Sequence, residues 1–173
     1  RIKECSWHFL YNNVLSDVVK NSIALFMVEL LYKTLKQPEP NNDLFYFCED
    51  ALEQLDSAPP SVAANFSLYF SLQLPYFFGF RISDIPAHLA TEDNIYLDLQ
   101  EAQFTNLYPT HPHYLEREDA LITSDLLKIM QLHELDQVKL NRMQRRKLIS
   151  KYMDFAKRLK VFAKSKGLKP ELT

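Results

Sequence analysis

Apolar residues recur along most of the chain at intervals of three and four, which is the spacing of one face of a helix. The densest stretch is Asn21 to Lys36, where Ile23, Met27 and Leu30 share one face. Either Asn21 or Ser22 can cap this stretch by accepting a bond from a first-turn N–H. The opposite side is also apolar, with Leu25, Phe26 and Val28. The pattern therefore predicts a helix that is buried nearly all round, the central helix of a compact all-α domain.

The same periodicity predicts the helices that pack around it. Capping residues and prolines set their approximate limits. In chain order the predicted helices run from about Ser6 to Val19, from a cap at Asn42 or Asp43 to the Pro59 and Pro60 pair, from about Val62 to Phe78, from Glu118 to Leu132, and from a cap at Asn141 to about Lys164. Within the third of these, Pro75 predicts a kink in the last turn, and Gly79 suits the left-handed position after it.

Residues 81–113 show little helical spacing. Two short runs that are typical of strands, Ile95 to Leu99 and Gln103 to Tyr108, flank a possible turn at Gln100 and Glu101. We therefore predict that residues 81–113, called the flap below, form a small irregular or β-hairpin segment.

The last predicted helix separates apolar from basic residues. Its predicted buried seam consists of Leu148, Tyr152, Phe155, Leu159 and Phe162. On the opposite side lies a group called the basic ridge below, which consists of Arg142, Arg146, Lys157, Lys160 and Lys164. A flanking group beside the seam consists of Arg145, Lys147, Lys151 and Arg158. A solvated basic face is the usual explanation of such a pattern. A nucleic-acid contact is the alternative, and no helix-turn-helix or RNA-binding signature accompanies the pattern to support it.

Charge strengthens the case for a polyanionic partner. The net charge is only -2, yet residues 139–169 carry twelve Lys and Arg against one acid, Asp154. The preceding 138 residues carry twenty acids and eight bases. Such a body would repel a polyanion and confine its docking to the basic end. Length, 47% hydrophobic content and only 2 Gly favour one helical domain, and the absence of a signal-like or spanning segment predicts a cytoplasmic protein.

No group of residues predicts a metal site or a reaction. Cys5 and Cys48 are isolated from each other, which is more typical of buried thiols than of a disulfide or a metal site. His111 and His113 form a pair without a third ligand at suitable spacing. Because no nucleophile and base, phosphate loop or paired carboxylates can be identified either, we expect a binding protein without cofactor or small-molecule substrate.

Several segments in succession resemble the helical C-terminal region of the RecO family of DNA repair and recombination mediators, in the form found in Bacteroidetes-like bacteria. They are SIALFMVELLYKTL (Ser22 to Leu35), PEPN (Pro38 to Asn41), LF (Leu44 and Phe45), ANFSLYFSLQL (Ala64 to Leu74), FFGF (Phe77 to Phe80), YLDLQEAQF (Tyr96 to Phe104) and HPHYL (His111 to Leu115). The opening RIKE resembles the end of the family's N-terminal OB-fold. The resemblance thus implies that residues 1–4 end a missing OB-fold, and that residues 5–173 form the helical domain.

The resemblance also implies a function without catalysis. RecO proteins bind and anneal single-stranded DNA, contact the acidic tail of single-strand binding protein, and act with RecR to load RecA. We therefore expect DNA contacts from the basic ridge and tail contacts from the flanking group. Many members carry a four-cysteine zinc module where this chain has no cysteine, so the flap must be held by Ile95, Tyr96, Leu97, Phe104 and Tyr108 instead. The alternative is a protein-interaction module whose basic helix binds acidic peptides and not DNA.

Overall fold

The computed structural model describes residues 9–35 and 40–165, and in the last helix it describes side chains up to residue 159. Five α-helices and three short strands make up most of this part. They are α1 Val18–Thr34, α2 Asn42–Ser57, α3 Pro60–Gln73, β1 Tyr96–Asp98, β2 Gln103–Thr105, β3 Tyr114–Leu115, α4 Arg117–Leu127 and α5 Arg142–Ser165, with 3₁₀ helices at Leu74–Phe78 and Leu132–Gln137. The fold is thus mostly helical, as predicted, but it also contains a three-stranded antiparallel sheet, so all-α describes it incompletely.

The centre of the domain is α3 rather than α1. This helix packs against α1, α2, α4 and α5, and Phe66 and Phe70 on it have no exposed surface. Pro60 is the first residue of α3, and its missing N–H costs no helical hydrogen bond, because a first-turn N–H has no acceptor within the helix. The aromatic residues that follow α1 in the sequence therefore supply the core around which the other helices are arranged.

The prediction that the helix beginning near Asn21 is buried nearly all round is wrong. Met27 and Leu30 on α1 are 1% exposed, but Leu25 and Val28 on the opposite side are 63% and 58% exposed. Helices α2, α3 and α5 all approach α1, and they leave one apolar side of it uncovered. Apolar periodicity cannot reveal this, because a helix with two apolar sides gives the same pattern whether one or both are covered. Lys36, the predicted end, lies outside the described residues.

The predicted helix from Ser6 to Val19 is also wrong over its described part. Residues 9–17 form bends and turns, and α1 begins at Val18 with Asp17 as its cap, rather than Asn21 or Ser22. The Asp17 carboxylate accepts bonds from the backbone N–H groups of Val19 and Lys20. The backbone before this cap is irregular because a second carboxylate, that of Asp56, binds its N–H groups.

Asp56, near the end of α2, holds this amino-terminal segment in place. Its carboxylate accepts bonds from the backbone N–H groups of Asn12, Asn13 and Val14 at 3.2, 2.7 and 2.7 Å. The buried Lys20 ammonium donates to the Asp56 backbone carbonyl at 2.6 Å. Burial pushes the pKa of the Asp56 carboxyl upward, but the three N–H bonds and Lys20 outweigh it, so this pKa lies below its ordinary value. The carboxylate replaces the bonds that a helix would have given these amides.

We expect Asp56→Ala to destabilise the protein at neutral pH by about 1.5–3 kcal/mol, the value of a hydrogen bond to a charged group. Because the folded pKa is lowered, the stabilisation exists above the ordinary Asp pKa of about 3.9 and is lost as pH falls through the folded pKa. Urea unfolding at pH 7 and at successively lower pH measures this difference. Asp50→Ala, at an exposed position of the same helix, is the matched control. A difference between the two variants that does not shrink in acid would contradict the role of the charge.

Three other predicted limits differ in detail. Asn41 caps α2, one residue before the predicted positions, by accepting from the Leu44 N–H at 2.9 Å. The helix predicted from Val62 to Phe78 becomes 3₁₀ after Gln73, next to Pro75, and Gly79 follows with a φ of 81° as expected. The helix predicted from Glu118 to Leu132 ends at Leu127, and Met130, within the predicted span, is 87% exposed. The Glu134 carboxylate bonds the Met130 and Gln131 N–H groups and stabilises the early stop.

The flap forms most of a sheet whose strand order is β2-β1-β3. The predicted hairpin corresponds to β1 and β2, and β3, which follows the flap, adds a third strand on the other side of β1. Leu97, Phe104 and Leu115 point to the core and are at most 7% exposed. Of the residues expected to hold the flap, Ile95, Leu97 and Phe104 are buried, whereas Tyr108 is 66% exposed.

Candidate nucleic-acid interface

Helix α5 is fixed by the cap and the seam that the sequence predicts. The Gln144 N–H donates to the Asn141 side-chain oxygen at 2.9 Å. Leu148, Tyr152, Phe155 and Leu159 are at most 2% exposed, and the side chain of Phe162 lies outside the described residues. The Tyr152 hydroxyl hydrogen bonds the Thr123 hydroxyl of α4 at 2.6 Å, and burial raises the pKa of this tyrosine. The seam therefore fixes which side of α5 faces solvent.

The basic ridge lies on that solvent side as far as the structure describes it. Arg142, Arg146 and Lys157 are exposed. Arg146 and Lys157 are eleven residues apart, or about 16 Å along the helix axis at 1.5 Å per residue. The side chains of Lys160 and Lys164 lie outside the described residues. Three of the five ridge residues are thus on one accessible side of α5.

The two ends of the described ridge differ in their acidic neighbours. The Lys157 ammonium lies 4.0 Å from the Asp154 carboxylate. On α1, the hydrogen bond from Lys33 holds the pKa of Glu29 below its ordinary value, and the charge of Lys157 adds to that effect. Arg146 makes no ion pair with any residue in the described part of the chain. The arginine end of the ridge is therefore the better place for an added anion.

Two residues of the flanking group are committed to the fold. The Arg145 Nε donates to the side-chain oxygen of Asn65 at 2.9 Å, and the buried Asn65 amide donates to the backbone carbonyls of Leu135 and Val138. The Lys147 ammonium lies 2.6 Å from the Asp119 carboxylate, whose side chain is 5% exposed. This hydrogen bond raises the pKa of Lys147, although burial acts in the opposite direction. Arg145 and Lys147 thus join α5 to α3 and α4.

A cleft lies between the flap and the side of α5 that carries Lys147, Lys151 and Arg158. At 100° per residue these three positions fall within about 40° of one another, away from Arg145. The cleft has a volume of about 260 Å³. Its lining combines Leu99, Pro112 and His113 from the flap with Lys147, Ser150, Lys151, Asp154 and Phe155 from α5. It therefore combines a small apolar contact with two lysines and one acid, Asp154.

The flap wall of this cleft is held by hydrogen bonds. The Asp98 carboxylate accepts from the backbone N–H groups of Gln100 and Glu101, at 2.8 and 2.9 Å, and lies 3.1 Å from the His111 Nε2. The His113 backbone N–H donates to the His111 Nδ1, so in the neutral ring Nε2 carries the proton that Asp98 accepts. Burial lowers the pKa of His113, and Arg158 acts in the same direction.

Neither a metal site nor a reactive thiol emerges from these side chains. Within residues 9–35 and 40–165, no three His, Cys, Asp or Glu side chains are grouped so that they could hold a metal ion. Burial raises the pKa of the Cys48 thiol to about 11, which disfavours the nucleophilic thiolate. Cys5 lies outside the described residues. No helix in the described part of the chain is both long and apolar enough to cross a membrane.

The sequence alone did not identify the partners of the flanking group. Asn65 lies 80 positions before Arg145, and no local pattern connects two residues at that separation. Asp119 stands in the first turn of α4, where an acid is ordinary because it complements the helix dipole. His113 was singled out in a two-histidine pair and in the HPHYL segment of the family resemblance, and neither observation indicated a contact with α5. Nothing in the sequence pointed to the cleft that Pro112 and His113 form with α5.

Comparison with known proteins identifies relatives of the chain. The family model described as "Recombination protein O C terminal" matches residues 15–83. The "DNA repair protein RecO" of Azobacteroides pseudotrichonymphae is 27% identical over 154 residues, which are 89% of this chain and 61% of that protein. The "DNA repair protein RecO" of Bacteroides fragilis is 30% identical over 134 residues, 77% of this chain and 52% of that protein.

A third relative, the "DNA repair protein RecO" of Flavobacterium johnsoniae, is 30% identical over 122 residues, 69% of this chain and 47% of that protein. The chain therefore spans between about half and three fifths of the length of these curated relatives. No solved structure matches the chain.

Proposed function

Because this chain belongs to the RecO family of DNA repair proteins, we propose that it is a non-enzymatic recombination mediator that binds single-stranded DNA along α5. The proposal includes strand annealing, contact with single-strand binding protein, and assistance to RecR in loading RecA. These activities are those of the family, and this chain covers only part of the length of its relatives.

One observation about α5 supports the DNA contact most directly. Arg142, Arg146 and Lys157 share an exposed side, while Arg145 and Lys147 are held by Asn65 and Asp119. Exposed cations on a rigid helix can contact phosphates without losing bonds that stabilise the fold. Phosphate contacts of this kind are independent of base sequence, as a protein acting on any exposed strand requires.

Binding of fluorescent oligo-dT to the isolated chain at several salt concentrations tests this proposal. Three phosphate contacts on a single strand give a slope of log affinity against log salt of about -2, since each contact releases about 0.7 counterion. We therefore expect a steep loss of affinity between low and moderate salt, measured by fluorescence anisotropy. No binding at low salt, or binding that salt does not weaken, would refute the DNA contact.

The cleft favours a second candidate, the binding of an acidic peptide such as the tail of single-strand binding protein. Such a peptide needs an apolar pocket for its terminal side chain and cations for its carboxylates. Pro112 lines the cleft with Leu99 and Phe155, which are each only 2% exposed, so the apolar contact is small, and Lys151 stands at the same cleft with Arg158 on the same side of α5. Of the flanking group, we therefore assign Lys151 and Arg158 to this role, and we regard Arg145 and Lys147, which are held by Asn65 and Asp119, as structural.

A further inference from the structure

The outer face of the sheet carries three tyrosines in mutual contact, called the tyrosine cluster below. Tyr96 on β1 and Tyr114 on β3 have ring centroids 5.8 Å apart, and Tyr108 lies 5.4 Å from each of them. Solvent-facing positions of an antiparallel sheet are usually polar. This face instead exposes aromatic surface, with Tyr108 66% exposed and the neighbouring Leu107 75% exposed.

The cluster is ordered before any ligand arrives. The Tyr108 and Tyr114 hydroxyls are 2.6 Å apart, and this hydrogen bond raises the pKa of Tyr114 to about 12. The three rings meet edge to face, at 84°, 82° and 66°. A ring that is already fixed loses little conformational entropy when a flat ligand covers it. The cluster is therefore suited to bind planar groups rather than to fill the core.

The strand segment that carries Tyr114 continues directly from the flap wall of the cleft on α5, and the cluster lies on the outer face of the sheet. Pro112 and His113 line the cleft together with Lys151, and Tyr114 follows directly in the chain. Two residues of extended chain span at most about 7 Å. Acidic Glu116 stands near Tyr114 and makes a phosphate unfavourable at the cluster itself. A ligand that places neutral rings on the sheet and negative charge on α5 satisfies both surfaces.

We propose that the tyrosine cluster is a stacking platform for unpaired bases of a single strand whose phosphates contact α5. This inference rests on the proposed DNA-binding function and adds to it a contact that does not depend on charge. Every base has a π-face, so stacking on tyrosine tolerates any sequence and adds to phosphate contacts. The sheet would thus add stacking contacts to the phosphate contacts of α5.

The test uses Tyr108→Ala and Tyr108→Phe with two oligonucleotides of equal length, oligo-dT and one whose central nucleotides lack bases. Loss of one stacked base corresponds to at least about a fivefold weaker affinity. We expect Tyr108→Ala to weaken oligo-dT binding by that factor with an unchanged salt slope, and Tyr108→Phe to bind within about twofold of the unchanged protein. Tyr32→Ala, at an 82% exposed tyrosine of α1, is the matched control and should bind normally.

The abasic oligonucleotide separates stacking from a general disturbance of the flap. The unchanged protein should bind it at least about fivefold more weakly than oligo-dT, and Tyr108→Ala should lose most of that preference. Equal binding of the two oligonucleotides by the unchanged protein, with a steep salt slope, would overturn the platform and leave the phosphate contacts standing. Binding of neither oligonucleotide would overturn both proposals.

Discussion

Leu30→Ala should destabilise the protein by roughly 2–5 kcal/mol, whereas Val28→Ala, two positions away on the same helix, should cost no more than about 0.5 kcal/mol. Leu30 is 1% exposed, so its truncation removes buried methyl groups and leaves a cavity against the core. Val28 is 58% exposed and loses little contact. Urea or thermal unfolding of both variants measures the difference.

This pair of variants tests the corrected position of α1. If α1 were buried nearly all round, as its sequence suggests, both substitutions would be costly. Similar large losses would show that the outer side of α1 is covered in solution, for example by association of chains at the concentration used. Repeating the measurement at a tenfold lower concentration separates the two cases, because stabilisation by association depends on concentration.

The sequence was most informative for helices that have a single apolar side, because that side must be the one packed against the core. On α5 the cap and the four described seam residues were predicted residue by residue, because an amphipathic helix with a polar remainder has only one side to bury. On α1 the same reasoning failed, since apolar residues on both sides do not say which side has a neighbour. The central place of α3 depends on how the other helices pack against it, so the periodicity of α3 itself could not reveal it.

The flap shows a different limit. Its two strands were recognisable from their composition, and Ile95, Leu97 and Phe104 are buried as expected. The pairing of β3 with β1 joins residues sixteen and eighteen positions apart through two residue pairs only, which is too short for a pattern. The consequence for function is large, because that pairing brings Tyr114 beside Tyr96 and places the loop of His113 against α5.

For the candidate site, the sequence identified which residues are basic but not which of them are available. From the sequence alone, each of the nine Lys and Arg residues of the ridge and the flanking group could have been free to bind a ligand. Only tertiary contacts distinguish Arg145 and Lys147, which bond Asn65 and Asp119, from Arg146, which stands at the surface. Whether a basic residue of α5 is free to bind a ligand depends on partners that are distant in the chain, so it could not be predicted from spacing along α5.

Reversing Arg146 and Lys157 to Glu should greatly weaken binding to oligo-dT while the fold stays intact. Neither side chain belongs to the seam, and both are exposed. Removing two phosphate contacts should reduce the slope of log affinity against log salt by about 1.4, at about 0.7 per contact. The two new carboxylates also repel the strand, so the loss of affinity at low salt should exceed that of the corresponding Ala variants. Arg81→Glu with Lys128→Glu, two exposed positions outside α5, controls for net charge.

The same double reversal distinguishes the DNA contact from peptide binding. We expect it to reduce oligo-dT binding more than binding of an acidic peptide with a terminal Phe, because the cleft lies on another side of α5. Reversing Lys151 and Arg158 to Glu should have the opposite preference. Equal losses for both ligands in both variants would mean one shared anionic site on α5. If neither ligand responds to Arg146→Glu with Lys157→Glu while circular dichroism and the melting temperature are unchanged, the basic ridge is a solvated surface and the strand binds elsewhere.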